Sequence, residues 1–159
     1  MANHLLVSTS VPPAALRPPA GVALDTVRRQ GLTDVARAYW LTYLHTPHRM
    51  SMTEATDDVQ AAWGGKYGRW LTEGSLLARS DDDVIGAILT VADAPWPDVP
   101  RGPFVIDLFV LPTSRRRGTG RALVQAVLAA VPATVALRVD DSATEAHALY
   151  ATLGFRPAP

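Results

Sequence analysis

The 159-residue sequence contains no cysteine, which excludes disulfide bonds, thiolate metal sites and a cysteine nucleophile. It has no excess of either charge, since 15 Lys and Arg balance 15 Asp and Glu. Proteins that bind nucleic acid usually carry a basic surface, so a nucleic-acid partner is not expected. No apolar run approaches the roughly 18 residues that span a bilayer, and no secretory signal is recognisable, so a membrane partner is not expected either. The sequence predicts a cytoplasmic protein.

Prolines at 12, 13, 18 and 19 set an irregular N-terminal arm, residues 1–21, apart from a domain at 22–159. Within the arm, residues 4–8 are apolar enough to add a short edge strand. The apolar periodicity of the domain predicts the order β-α-α-β-β-β-α-β-α, with at most one short final strand. Strands are expected at 22–29, 75–80, 84–92, 104–111 and 133–139, and helices at 33–46, 53–72, 120–131 and 142–153. Gly64 and Gly65 predict a break or kink in the second helix, and Ser142 and Glu145 have the spacing of a capping box at the start of the last one. This order favours an α/β fold with a mixed sheet and helices on both faces.

Residues 112–123, PTSRRRGTGRAL, form a loop in which positive charge and glycine are concentrated. The loop joins an apolar strand to a helix, so backbone N–H groups and the positive end of the helix dipole point at one place. Gly118 and Gly120 lack the Cβ atoms that would keep a ligand away from the backbone. Four arginines supply charge around this point: Arg115, Arg116, Arg117 and Arg121. The loop therefore predicts a pyrophosphate site.

The spacing of the glycines discriminates between phosphate ligands only in part. A dinucleotide fingerprint requires G-x-G-x-x-G, and the third glycine is missing here. Asp140 and Asp141 nevertheless stand where the acidic residue of that fingerprint is expected, so this interpretation is weakened and stays open. The P-loop pattern G-x-x-x-x-G-K-[ST] is absent from the sequence.

Two motifs in order carry a resemblance to a known family. Arg115 to Gly120 match R-x-x-G-x-G at the end of a strand, and AHALYATLGF at 146–155 matches A-x-x-L-Y-x-x-L-G-F. With one helix and one strand between them, this pair resembles the GNAT N-acetyltransferase superfamily; the specific part is 107–155, and the whole resemblance covers about 22–156. It implies a mixed, mostly antiparallel sheet that is splayed between its central strands. It also implies acetyl-CoA as the cofactor and direct acetyl transfer to a primary amine, on a small molecule or a peptide, in a ternary complex.

The resemblance assigns cofactor-binding roles to the strand and the loop. Backbone N–H groups of Arg116 through Arg121 would bind the CoA pyrophosphate, and the arginine side chains would reach towards the 3′-phosphate. A backbone N–H near Phe109 or Val110 would polarise the acetyl carbonyl. The cofactor-binding set is thus Phe109, Val110, Arg115, Arg116, Arg117, Gly118, Thr119, Gly120 and Arg121.

Two catalytic candidates follow, each with a structural alternative. The family's tyrosine that protonates the departing CoA thiolate corresponds to Tyr150, which also fits the buried face of its helix. Asp107 interrupts the apolar strand FVIDLFVL, and a buried carboxylate needs a partner or a task. It is a candidate general base, and a purely structural role receiving hydrogen bonds from a neighbouring loop stays open.

The sequence departs from the family at two positions. Arg138 stands where some relatives carry a glutamate base, and Ala143 replaces an asparagine that contacts CoA. The curtailed C-terminus also leaves a sheet edge that a second subunit, in a homodimer, or the N-terminal arm would cover.

The acceptor side is less well specified. Glu54, Asp57 and Asp58 would attract a cationic amine or form a solvated helix face. Five aromatic residues at helical spacing would line an acceptor pocket or belong to the core: Trp40, Tyr43, Trp63, Tyr67 and Trp70. No metal site is expected, because His45 and His48 have no carboxylates near them in the sequence.

Two functions besides acetyl transfer stay open. One is a module that binds acyl-CoA without catalysis, and the other is a dinucleotide-binding oxidoreductase.

Overall fold

The computed structural model describes residues 2–9 and 17–159, which form eight strands and four helices. The strands are β1 (Asn3–Ser8), β2 (Val22–Thr26), β3 (Arg69–Trp70), β4 (Leu76–Ser80), β5 (Asp83–Ala92), β6 (Pro103–Val110), β7 (Ala136–Asp140) and β8 (Phe155–Pro157). The helices are α1 (Leu32–Tyr43), α2 (Met52–Trp63), α3 (Thr119–Ala130) and α4 (Thr144–Thr152). Within these residues no helix is long and apolar enough to cross a membrane.

The strands form one open sheet in the order β2-β4-β5-β6-β7-β1-β8, and β3 pairs with β5. Every pair is antiparallel except β6 with β7. The predicted mixed α/β fold is confirmed, and the strand predicted to be central, β6, lies between β5 and β7. Gly86 lets β5 and β6 approach closely, because a Cβ there would lie 2.6 Å from the Phe109 carbonyl oxygen.

The helices cover both faces of the sheet. Helix α1 and Val59 of α2 pack with Ala87 and Leu89 of β5 and with Phe109. On the other face, α3 contributes a buried stripe of Leu123, Val124 and Val127, which packs with Ile88, β7 and Tyr150 of α4. Burying each of these aliphatic side chains is worth about 1.5–3 kcal/mol, so the two cores hold the sheet between two helical layers.

A β-bulge in β6 changes the direction of its side chains. Asp107 pairs with Leu89, whereas Val105 pairs with the next residue of β5, Thr90, so Ile106 is an extra residue. Val105 and Leu108 therefore face the α3 side, and Phe109 faces the α1 side. Pairing of β6 with β7 also ends here, at Val105 and Leu137. Beyond this point the two strands separate, which is the splay that the resemblance implies.

Three local predictions differ from the structure. The strand expected at the sheet edge over residues 4–8 is present as β1, but it lies inside the sheet between β7 and β8; residues 1 and 10–16 of the predicted arm lie outside the described part. The helical stretch 53–72 breaks at Gly64 and Gly65 as expected, because Gly64 caps α2 and Gly65 follows at φ +94°, but the helix does not resume, and Arg69–Trp70 is strand β3.

Ser142 was expected to open the last helix as a capping box. It bonds Asp140 instead, through its N–H at 2.8 Å and its hydroxyl at 2.5 Å, and α4 begins after Ala143 without a side-chain cap.

Candidate active site

The loop after β6 is shaped by two left-handed residues. Arg116 has φ +60°, and Gly118, the N-cap of α3, has φ +89°. Glycine adopts this conformation without a steric penalty, and a Cβ at Gly118 would meet only the side chain of Pro19, at 3.8 Å. Alternating conformations of this kind turn successive N–H groups towards one concave surface, which favours an anion.

The first turn of α3 has N–H groups that are not bonded within the helix. Gly118 provides no side-chain cap, and the first bond within the helix runs from the Ala122 N–H to the Gly118 carbonyl at 2.9 Å. The N–H groups of Thr119, Gly120 and Arg121 therefore have no intrahelical partner. Together with the helix dipole they are suited to hold a phosphate group.

The four arginines have different surroundings. Arg115 donates through Nε to the Val110 carbonyl at 3.0 Å, and Arg121 donates to the Thr152 hydroxyl at 3.0 Å. Arg116 forms a salt bridge with Glu145 on α4. Arg117 lines a separate cavity of about 410 Å³ beside Asp34 and residues 81–83.

A groove of about 450 Å³ runs from this loop along β6 between Tyr43, Gly118 and Leu149. All the predicted cofactor-binding residues line it except Arg117. Its floor is the segment of β6 that has separated from β7.

One strand amide in the groove has a suitable orientation. The Leu111 N–H bonds the Ile85 carbonyl at 2.8 Å, and backbone groups alternate along an antiparallel pair. Phe109 therefore points its N–H at β5, whereas Val110 points its N–H away from β5, into the gap that β7 leaves. Of the two amides predicted to polarise the acetyl carbonyl, Val110 has the suitable direction.

Asp107 follows the bulge and faces α1 and α2. The pKa of its carboxyl is raised to about 7, chiefly by burial and secondly by the negative charge of Asp58. Hydrogen bonds from the Tyr39 hydroxyl and the Leu108 N–H act in the opposite direction on this pKa. A carboxyl with a pKa near neutrality is suited to take up and release a proton.

Asp107 belongs to an aromatic pocket of about 190 Å³, which is also lined by Tyr39, Asp58, Tyr67 and Trp96. Asp58 accepts a hydrogen bond from the Tyr39 hydroxyl at 3.2 Å and another from the Tyr67 hydroxyl. The rings of Tyr67 and Trp96 are stacked, with centroids 6.0 Å apart and 20° between their planes. The pocket thus combines two carboxylates with three aromatic side chains.

Tyr150 is 7% exposed, and its ring contacts Phe155 at a centroid distance of 5.5 Å. Burial and the charge of Asp107 raise the pKa of its hydroxyl to about 12, which keeps the hydroxyl protonated at neutral pH. Asp107 also raises the pKa values of Tyr39 and Tyr43, where burial is the larger cause. Since Tyr43 lines the groove and Tyr39 the aromatic pocket, Asp107 lies within electrostatic reach of both cavities.

The other acceptor-side candidates separate into two groups. Asp58, Tyr43 and Tyr67 line cavities, whereas Trp63 and Trp70 pack together in the core beside α1. Glu54 caps α2 in a capping box with Ser51, whose N–H donates to its carboxylate at 2.7 Å. Asp57 is exposed, and Trp40 is partly exposed and lines neither the groove nor the aromatic pocket.

Sequence reasoning missed Tyr39 and Trp96. Tyr39 stands four residues before Tyr43, a spacing that places both rings on one helix face. Trp96 lies in the proline-rich connection before β6, where no periodicity signals a pocket.

The two departures from the family motif have structural roles. Arg138 bonds the Asp98 carboxylate at 2.5 Å and lies over the Trp96 ring, 5.4 Å from its centroid. Ala143 packs against the core on the α3 side. Among residues 2–9 and 17–159, no group of three or more histidine and acidic side chains is placed to hold a metal ion.

Residues 32–155 match the Acetyltransferase (GNAT) family. The structure is similar to a GCN5-related N-acetyltransferase from Sphaerobacter thermophilus, with a TM-score of 0.71 and 21% identity over 98% of this chain and 48% of that one. This chain therefore spans about half the length of the Sphaerobacter protein. No sequence among the curated proteins matches.

Two further similar structures are complexes. Naa50 from Arabidopsis thaliana, with the bisubstrate analogue CoA-Ac-MVNAL, has a TM-score of 0.60 and 23% identity over 88% of this chain and 86% of that one. AAC(6′)-Iy, with the bisubstrate analogue CoA-S-monomethyl-acetylneamine, has a TM-score of 0.65 and 17% identity over 87% and 92%.

Proposed function

The chain belongs to the acetyltransferase (GNAT) family, and from this membership we propose that it transfers the acetyl group of acetyl-CoA to a primary amine by direct attack in a ternary complex. The observation that carries the proposal is the groove between β6 and α4. It begins at N–H groups that have no partner within α3, passes a strand amide that has no partner in β7 among the described residues, and ends within electrostatic reach of the Asp107 carboxyl. The CoA-containing analogues bound to two structural relatives support the same acyl donor.

The residues of the groove fit a thioester of CoA. The N–H groups of residues 119–121 would hold the pyrophosphate, and Gly118 leaves open space for it. Arg116 neutralises Glu145, the acidic residue that lines the groove. The bound thioester supplies the activated acetyl group.

One backbone amide and two side chains would then act on the reacting atoms. The Val110 N–H donates to the acetyl carbonyl oxygen, where negative charge develops; one such donor is worth about 3–4 kcal/mol. Asp107 takes a proton from the acceptor ammonium, directly or through water, and the freed nitrogen lone pair forms the C–N bond as the C–S bond breaks. Tyr150 gives its proton to the departing sulfur and regains one from the amine nitrogen, so that one proton leaves to solvent in each turnover.

A substitution at Gly118 tests the cofactor site. Gly118→Glu places a negative charge on the path of the pyrophosphate and should weaken acetyl-CoA binding at least about tenfold, or 1.4 kcal/mol. Gly118→Asn is the control, because asparagine tolerates the left-handed conformation and adds no charge. Calorimetric titration with acetyl-CoA measures both, and equal affinities for the wild type and Gly118→Glu would refute the assignment.

Release of CoA in the presence of an amine panel separates the enzyme from a module that only binds acyl-CoA. Tight acetyl-CoA binding without turnover would favour the module. Binding of a nicotinamide cofactor without binding of acetyl-CoA would favour an oxidoreductase. The cytoplasmic location and the homodimer expected from the sequence stay predictions.

A further inference from the structure

The aromatic pocket has more negative charge than the proposed transfer reaction uses. It contains the carboxyls of Asp107 and Asp58, and the two are coupled, since the charge of Asp58 influences Asp107. The Tyr39 hydroxyl interacts with both, because it donates to Asp58 at 3.2 Å and lowers the pKa of Asp107. Only one carboxyl is needed to accept the proton of the amine. Asp58 is therefore not needed to accept this proton, although its charge influences the pKa of Asp107.

No residue lining the described pocket is a lysine, arginine or histidine. Two cationic side chains lie against the aromatic residues of its walls. Lys66 lies 5.5 Å from the centroid of Tyr67, and Arg138 lies over Trp96 and is paired with Asp98. A carboxylate on the acceptor would meet two like charges and no counter-charge in this pocket.

The walls of the pocket are also suited to a cation. Tyr67 and Trp96 both line it, and aromatic rings attract positive charge by about 0.5–2 kcal/mol according to how far it is desolvated. The volume of about 190 Å³ corresponds to roughly six water molecules at about 30 Å³ each, which is the space of a short chain with an amine at each end.

We propose that the acceptor is a compact amine with a second cationic group a few bonds from the reacting nitrogen, and that Asp58, Tyr67 and Trp96 bind this second group. The inference rests on the proposed function, because Asp107 then serves the reacting amine. Asp58 is a specificity-determining residue in this account. Amines with a nearby carboxylate are poor acceptors.

Three probes with four carbon atoms each test the inference: 1,4-diaminobutane, butylamine and 4-aminobutanoate. The wild-type kcat/KM should be at least about tenfold higher for the diamine than for butylamine, and lowest for 4-aminobutanoate. Asp58→Asn should reduce the ratio of diamine to butylamine by about 10- to 100-fold, the effect of losing a charge-assisted contact. Asp57→Asn removes a neighbouring charge that faces solvent and should leave the ratio unchanged.

Asp58→Glu keeps the charge and should restore part of the diamine preference, which separates loss of charge from damage to α2. Equal kcat/KM values for the diamine and butylamine in the wild type would overturn the inference and leave acetyl transfer standing. If no amine is acetylated, the proposed function fails. In that case, calorimetric titration of 1,4-diaminobutane into the CoA-saturated protein tests the inference separately. Binding to the wild type that is lost in Asp58→Asn would support a cation site in the aromatic pocket, and absence of binding to the wild type would overturn it.

Discussion

At the scale of single residues, the pKa of the Asp107 carboxyl is set by neighbours that act in opposite directions. Its place in an apolar strand marks it in the sequence, but the sequence does not show which face it occupies. The bulge at Ile106 turns it towards Tyr39 and Asp58. The negative charge of Asp58 raises the pKa of Asp107, and the hydrogen bond from Tyr39 lowers it.

The pH profile of kcat/KM should therefore respond to the two neighbours with opposite sign. A general base works only when deprotonated, so kcat/KM of the wild type should rise through an apparent pKa near 7. Asp58→Asn should move this rise in kcat/KM to lower pH, because it removes the charge that raises the pKa of Asp107. Tyr39→Phe should move the rise to higher pH, and Asp107→Asn should abolish it. Ionisation of the amine substrate is common to all four proteins and cancels in the comparison. A rise that stays in place in Asp107→Asn would exclude Asp107 as the base.

Tyr150→Phe should lower kcat by about 100-fold or more, because in the proposed reaction the Tyr150 hydroxyl donates the proton to the departing sulfur. Acetyl-CoA affinity should change little, since the ring and its contact with Phe155 are retained. An acyl donor with a more acidic thiol needs less protonation, so the loss should be smaller with such a donor. A loss of equal size with every thioester would contradict the acid role.

At the scale of the helices, the same four-residue pattern has two outcomes. Ser51-Met-Thr-Glu54 forms a capping box, in which the Glu54 N–H donates to the Ser51 hydroxyl at 3.0 Å. Ser142-Ala-Thr-Glu145 does not, because Asp140 binds Ser142 and Arg116 binds Glu145. Local sequence indicates which groups can cap a helix, and tertiary neighbours decide whether they do.

The two serines should consequently differ in their effect on stability. Ser51→Ala removes a cap and should lower the free energy of unfolding by about 1 kcal/mol. Ser142→Ala removes only the exposed bond from its hydroxyl to Asp140, and its free energy of unfolding should stay within about 0.5 kcal/mol of the wild-type value. Urea denaturation of the two variants measures both values. A larger loss for Ser142→Ala would show that it caps α4 in solution.

The elements themselves were largely predictable. The hairpin of β4 and β5, the central strand β6 and the helix after the glycine loop follow from apolar periodicity and turn residues, which act over a few neighbours. The position of β1 was not predictable, because its partners are more than a hundred residues away in the chain. The aromatic pocket was only partly predictable, since Trp96 reaches it from a loop without periodicity.

At the scale of the whole molecule, β1 is the strand that attaches the last strand, β8, to the rest of the sheet. Leu6 is 6% exposed and packs in the core on the α3 side. The Ser8 hydroxyl accepts from the Val135 N–H at 2.8 Å, which fixes the end of β1 beside β7.

Leu6→Ala should accordingly cost about 2–5 kcal/mol of unfolding free energy, as other large-to-small changes in a core do. Asn3→Ala, in the same strand but exposed, should cost less than about 0.5 kcal/mol. Thermal or urea denaturation distinguishes the two. Equal stability of Leu6→Ala and the wild type would mean that β1 does not belong to the cooperative core.

The place of β1 has a consequence for biosynthesis. A ribosome that adds about 5–20 residues per second reaches β7 roughly 6 to 26 s after it has completed β1. Throughout that interval the apolar side chains of Leu5, Leu6 and Val7 have no partner strand. The nascent chain must therefore keep β1 unpaired until β7 has been synthesised, so β1 can join the sheet only after the residues of the central hairpin have been translated.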